Sequence, residues 1–160
     1  MDSILPFWFP NNNFNKFWFD KSKDDVIIKK YKTILENAKI ENIPKLSDNM
    51  ILSYIILFDQ LNRNIFRNNK SKIKKYDKFA LELTEYFFEN RNWYHIQVNY
   101  LIFFLMPYRH TFQINKYEKI FSILDIYYQK NKETLETDNK QKLLLKKFIN
   151  QTLKKLQLCQ

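Results

Sequence analysis

The feature that most limits what this chain can fold into is a missing residue: none of its 160 residues is glycine. Glycine is the usual choice wherever the backbone must take positive φ, as in tight hairpin turns and many helix C-caps, with Asn the common substitute. A β-rich fold is therefore hard to close, whereas helices ended by Asn and Lys are not. No alternating apolar/polar run of any length argues for strands either. The sequence predicts an all-α fold.

Within it, one stretch organises the rest. Met50 to Arg67 reads M-I-L-S-Y-I-I-L-F-D-Q-L-N-R-N-I-F-R, and its first half is apolar on every side. That marks a helix buried all round. Its second half carries polar groups along the same stripe: Leu52 and Ile56 are followed, at helical spacing, by Asp59 and Arg63. If one regular helix continues, Asp59, Arg63 and Arg67 fall within about 80° of one another at roughly 100° per residue. A carboxylate and two guanidinium groups are then pushed inward, and buried charges must be paired or bind something.

The remaining elements read in order. Residues 1–20 form an aromatic N-terminal segment (Phe7, Trp8, Phe9, Phe14, Phe17, Trp18, Phe19) whose rings are expected to plug grooves in a helical bundle. Ser22 reads as the N-cap of a helix to about Lys39, with Asp24 and Asp25 in its first turn. A loop over Asn42–Ser47 leads to a cap at Ser47 or Asp48. Ser71 opens a helix with the core stripe Ile73, Tyr76, Ala80, Leu83 and Phe87, and Asp77 lies beside that stripe. Tyr94–Met106 is again apolar almost all round, with Pro107 expected to stop it. Thr111 reads as the cap of a helix facing inward through Ile114, Tyr117, Phe121, Leu124 and Tyr128. Gln129 to Lys140 reads as a charged connection, and a basic helix within 133–158 ends the chain, with Leu145, Phe148, Ile149, Leu153 and Leu156 facing in. Consecutive helices are expected to pack as antiparallel pairs in one domain over residues 1–160.

Charge and cysteine usage bound the partners. The net charge is +10, from 27 Lys and Arg against 17 Asp and Glu. This admits nucleic acid as a partner. A Lys-, Asn- and Ile-rich, Gly-free composition is also what an AT-rich genome encodes, so a solvated lysine surface is the simpler reading. Cys159 is the only cysteine, which excludes an internal disulfide framework and a cysteine-based metal site and suits a reducing compartment. Asp2, Pro6 and Pro10 interrupt the start where a leader would be apolar. The longest apolar runs fall far short of the roughly 20 residues that span a bilayer. The expectation is a cytoplasmic protein with no membrane partner.

Several segments resemble one family. The Phe7-Trp8-Phe9 and Trp18-Phe19 clusters and, above all, I-L-F-D-Q-L-N-R-N-I-F-R are similar to the bacterial family called domain of unknown function 924, whose members carry D-Q-F-P-R-N-I-[FY]-R. The likeness continues through Y-D-K-F-A-L and F-L-M-P-Y-R-H-T, over roughly residues 7 to 128. It implies a tetratricopeptide-like helical bundle and supplies no accepted activity. Asn62 stands where the signature has proline, Phe112 where a glutamate follows the histidine, and Arg109 where acidic residues are frequent. The family's later F-G-R-F-P-H-R-N segment is not recognisable, so any catalysis in relatives can be degenerate here. The matching positions are Asp59, Gln60, Arg63, Asn64, Arg67, Asp77 and His110.

Those seven residues form the candidate site. In the bland reading, Asp59 and Arg63 form the favoured i, i+4 ion pair, and Gln60 and Asn64 tie loops to the core. In the functional reading, Arg63 and Arg67 offer planar forks to a small anionic or phosphorylated ligand, with Gln60, Asn64 and Asp77 lining the pocket, Asp59 orienting the arginines and His110 as acid or base. His95 reads as packing. No Gly-rich phosphate loop, H-E-x-x-H or Ser nucleophile elbow is present, so neither a cofactor nor a metal is read from the chain. The alternative function is a basic helical module that binds a partner protein or nucleic acid.

Overall fold

The computed structural model describes residues 1–12 and 20–159, without the Asn12 side chain. Among the described residues there is no strand, and the fold is all-α. The chain forms two compact units, Met1–Arg91 and Asn92–Gln160.

The first unit contains α1 (Ile4–Trp8), α2 (Asp24–Asn37), α3 (Asp48–Ile55), a π-helical segment (Ile56–Leu61), α4 (Asn62–Ile65) and α5 (Lys70–Asn90). The expected all-round burial of the central stretch is found: from Ile51 to Asn62 every residue but Tyr54 is buried. Ser47 caps α3 as its type predicts, accepting from the Met50 N–H at 3.2 Å. The continuous regular helix does not persist. Its middle widens into the π-helical turn, and α4 ends at Ile65 with Phe66 at φ −115°, ψ 31°. Arg67 thus lies beyond the helix and off the expected stripe. The start of α2 also differs: a 3₁₀ turn, Lys21–Lys23, precedes it, and the Asp20 carboxylate, rather than Ser22, accepts the local N–H. An Asx acceptor outcompetes a serine here because its carboxylate is ionised.

Trp8 and Phe9 are buried, as the plugging reading expects, and Phe7 packs against Tyr31 at 5.0 Å between ring centres. Phe14, Phe17, Trp18 and Phe19 lie outside the described residues. The α5 stripe holds, with Tyr76, Ala80, Leu83 and Phe87 buried.

The second unit packs α6 (Val98–His110), α7 (Ile114–Thr137) and α8 (Asn139–Gln157) against one another. Three local expectations give way. Pro107 does not stop α6, which continues to His110; every residue from Leu101 to Arg109 is buried, and that packing outweighs a proline penalty of about 3 kcal/mol. Gln113, not Thr111, occupies the N-cap of α7, while the Thr111 hydroxyl donates to Tyr108 C=O at 2.8 Å and accepts from Gln113 N–H at 3.2 Å. Gln129–Lys140 is mostly helix, with Asp138 as the hinge that caps α8 through Lys140 and Gln141. Its long polar face hid that continuation. The inward face of α7 is Tyr117, Ile120, Ile123, Leu124 and Tyr127, and Ile114 is exposed in the first turn. In α8, Leu145, Phe148 and Thr152 are buried, whereas Leu153 is exposed.

The missing glycine leaves a mark at the α6–α7 corner. Phe112 takes the left-handed conformation, φ 56°, with its ring exposed and Lys155 Nζ at 5.1 Å above it. Among the described residues Asn11, at φ 54°, is the other such position, and asparagine there is the expected substitute.

Candidate functional site

The predicted site residues of the first unit divide into two polar groups, both grown from the segment around the π-helical turn. In the first, Asp59 is only 1% exposed, although it sits in a run of apolar neighbours. Gln60 Nε2 donates to its Oδ2 and Arg63 Nη2 to its Oδ1 at 3.3 Å. The same Arg63 Nη2 donates to Asp77 Oδ1 at 2.8 Å. One guanidinium therefore bridges a buried carboxylate from the central stretch and a half-exposed one from α5. The expected inward lean of Asp77 is thus toward Arg63.

The second group is built around a residue that spacing did not single out as a site. Asp24, in the first turn of α2, receives three donors. Arg67 Nε reaches Oδ2 at 2.6 Å, Arg67 Nη2 reaches Oδ1 at 2.7 Å, and Asn64 Nδ2 reaches the same Oδ1 at 2.9 Å. The paired, parallel N–H groups are the fork geometry that guanidinium offers to carboxylate or phosphate. The Arg67 guanidinium, followed by the Asn64 amide, holds the Asp24 carboxyl below its ordinary range, and Asp24 in turn raises the Arg67 value. Only a separation of 43 residues in sequence connects the two, so no local periodicity could have paired them.

The two groups are joined through the chain of α4 but do not share one helical face, as first expected. Two lysines lie beside the second, one near Asp24 and one over the ring that precedes Arg67. Lys21 acts on Asp24 through space, and Lys72 Nζ lies 4.6 Å from the Phe66 ring, just past the α5 N-terminus capped by Asn69.

His110 belongs to the second unit, half-buried as the last residue of α6. His95 is exposed in the turn before that helix, which corrects the packing expectation. Arg109 is buried, with its guanidinium carbon 5.0 Å from the Phe148 ring centre and its carbonyl accepting from Tyr117 OH at 3.1 Å. Among the described residues, no cluster of three or more His, Cys, Asp or Glu is placed to hold a metal ion, and no helix is long and apolar enough to cross a membrane.

The family model described as "Bacterial protein of unknown function (DUF924)" matches residues 4–156. The chain belongs to that family. No curated protein and no solved structure matches it. The DUF924 match extends well beyond the last short motif, through α8 almost to its end. One departure from the signature acquires a role in this member. Asn62, where proline stands in the motif, is fully buried and donates from Nδ2 to Ile73 C=O at 3.1 Å, tying α4 to α5. Proline has no side-chain donor for that bond.

Proposed function

We propose that this DUF924 member binds a small anionic or phosphorylated ligand at Arg67, by exchange against its own Asp24. The observation that carries the reading is the convergence of three donors, two from Arg67 and one from Asn64, on a single carboxylate. Such a cradle fits any oxyanion that presents two oxygens to the guanidinium fork, carboxylate or phosphate alike, and Asp24 fills it as an internal competitor. Arg67 and Asp24 side chains are 38% and 17% exposed, so solvent reaches the pair. A pair that water reaches is worth less than a buried one, and a doubly charged phosphate can compete with Asp24 for the fork. Lys21, Lys72 and the N-terminus of the 21-residue helix α5 add positive potential nearby.

Arg63 plays a different part in this account. Held between Asp59 and Asp77, its charge is already met by two carboxylates, and it anchors the segment rather than the ligand. Gln60 holds Asp59 in place. The proposal needs no chemical step, and His110 is assigned none.

The test is a thermal-shift series with phosphate, sulfate and chloride at matched ionic strength. Phosphate should raise the melting temperature of the parent above the general salting effect, since a ligand that binds only the folded state stabilises it. Arg67→Ala should erase that excess. An equal response of parent and variant to all three salts would reject the site.

A further inference from the structure

The first unit also contains a cleft of about 480 Å³, two of whose lining rings, Phe58 and Phe79, lie within the family motifs. Its volume falls within the range of small-molecule sites. Phe58 from the π-helical segment and Phe79 and Leu83 from α5 line it, and Ile40 and Ile43 close the opposite wall. Phe58 belongs to an aromatic cluster, with its ring centre 5.7 Å from Tyr54, 5.9 Å from Tyr76 and 5.7 Å from Phe79. Phe79 is 38% exposed although it packs against Phe58, which is 2% exposed, so one face of the cluster is presented to solvent in the cleft.

The loop that forms the wall is held in place at both ends. Tyr54 OH donates to Lys39 C=O at 3.2 Å. Arg91 Nη2 donates to Pro44 C=O and Leu46 C=O, both at 2.9 Å. The cleft is therefore pre-formed, which lowers the ordering cost of binding.

Its electrostatics run against those of the chain as a whole. On a protein of net charge +10, the charged residues lining this cleft are Glu41, Glu82 and Lys39, a local excess of carboxylate. Ala38, also in the lining, is the C-cap of α2, a 14-residue helix with no basic residue in its last turn. The C-terminal end of that helix dipole is left to attract a cation. Aromatic faces do the same through their quadrupole.

We propose that this cleft binds a hydrophobic organic cation, an aryl or alkyl amine whose apolar body lies on Phe58 and Phe79 and whose ammonium group faces Glu41 and Glu82. The carboxylates set the sign of the preferred ligand and the rings set its body. The inference is independent of the anion site at Arg67.

The experiment compares three ligands of similar size on the full chain by isothermal titration: 2-phenylethylamine, 2-phenylethanol and 3-phenylpropionate. The amine should bind about tenfold more tightly than the alcohol, or roughly 1.4 kcal/mol, and the carboxylate should bind weakest. Glu41→Gln and Glu82→Gln alter exposed side chains, so both variants should fold, and together they should level the three affinities. Phe79→Ala should weaken all three. Equal affinities in the parent, no binding of the amine, or a preference untouched by the double Gln variant would each overturn the proposal.

Discussion

Arg63 touches two carboxylates of very different burial. The shorter contact, 2.8 Å to Asp77, joins side chains that are 30% and 28% exposed. The longer, 3.3 Å to Asp59, reaches a carboxylate that is 1% exposed. Burial rather than distance should decide. An Arg63–Asp77 pair in reach of solvent contributes below about 1 kcal/mol. Removing the partner of a buried carboxylate costs about 3–5 kcal/mol. Gln60 continues to donate to Asp59, and water can enter where the half-exposed guanidinium stood, so Arg63→Ala should cost about 2–3 kcal/mol. The assay is urea unfolding at pH 7 of Arg63→Ala, Asp59→Asn, Asp77→Asn and the two double variants, with free energies from midpoint and slope. The Arg63–Asp59 coupling energy should reach about 2 kcal/mol and that of Arg63–Asp77 should stay below about 1. A larger coupling to Asp77 than to Asp59 would refute the reasoning, because it would mean that contact length outweighs desolvation at this cluster.

Further expectations follow from other parts of the chain. Phe104, fully buried in α6, should cost about 3–5 kcal/mol when truncated to Ala in the same urea assay; a loss under about 1 would make α6 peripheral. Phe112→Gly, which relieves a bulky residue from the left-handed conformation, should raise stability by up to about 1 kcal/mol despite the added chain entropy. At high pH, burial pushes the Tyr127 hydroxyl up to about 12. Its native state therefore keeps a proton that the unfolded chain gives up near pH 10, so this contribution is intact below about pH 10 and is lost as pH rises toward 12. Tyr127→Phe should flatten that decline in chemical unfolding measured across the window. At the acid end, the depressed Asp24 carboxyl contributes stability above about pH 4 that is lost as pH falls, and Arg67→Ala should blunt that acid sensitivity.

Much of this was legible in the residues, for identifiable reasons. The all-α class followed from the missing glycine and the absent alternation, and Ser47 announced its helix by type and position. The burial of Asp59 was readable because the apolar pattern around it leaves a helix nowhere to turn. What failed was register and partnership. The widening at Ile56–Leu61 cannot be seen in spacing, since a π-helical turn has no composition of its own, and it displaced Arg67 from the expected face. Asp24 looked like a first-turn carboxylate satisfying a helix dipole. Its role as the partner of Arg67 and Asn64 exists only once α2 and α4 pack together. Pro107 shows the same limit: a local stop signal yields when the surrounding helix is buried on all sides.

The most direct test of the central claim is the affinity of Asp24→Asn for inorganic phosphate, measured by isothermal titration beside the parent. The substitution keeps the shape of the side chain and removes the charge that occupies the Arg67 fork. If Asp24 is an internal competitor for that fork, the variant should be somewhat less stable and yet bind phosphate several-fold more tightly. If the cluster is only a clamp between α2 and α4, the variant should lose stability and gain no affinity, which would contradict the account.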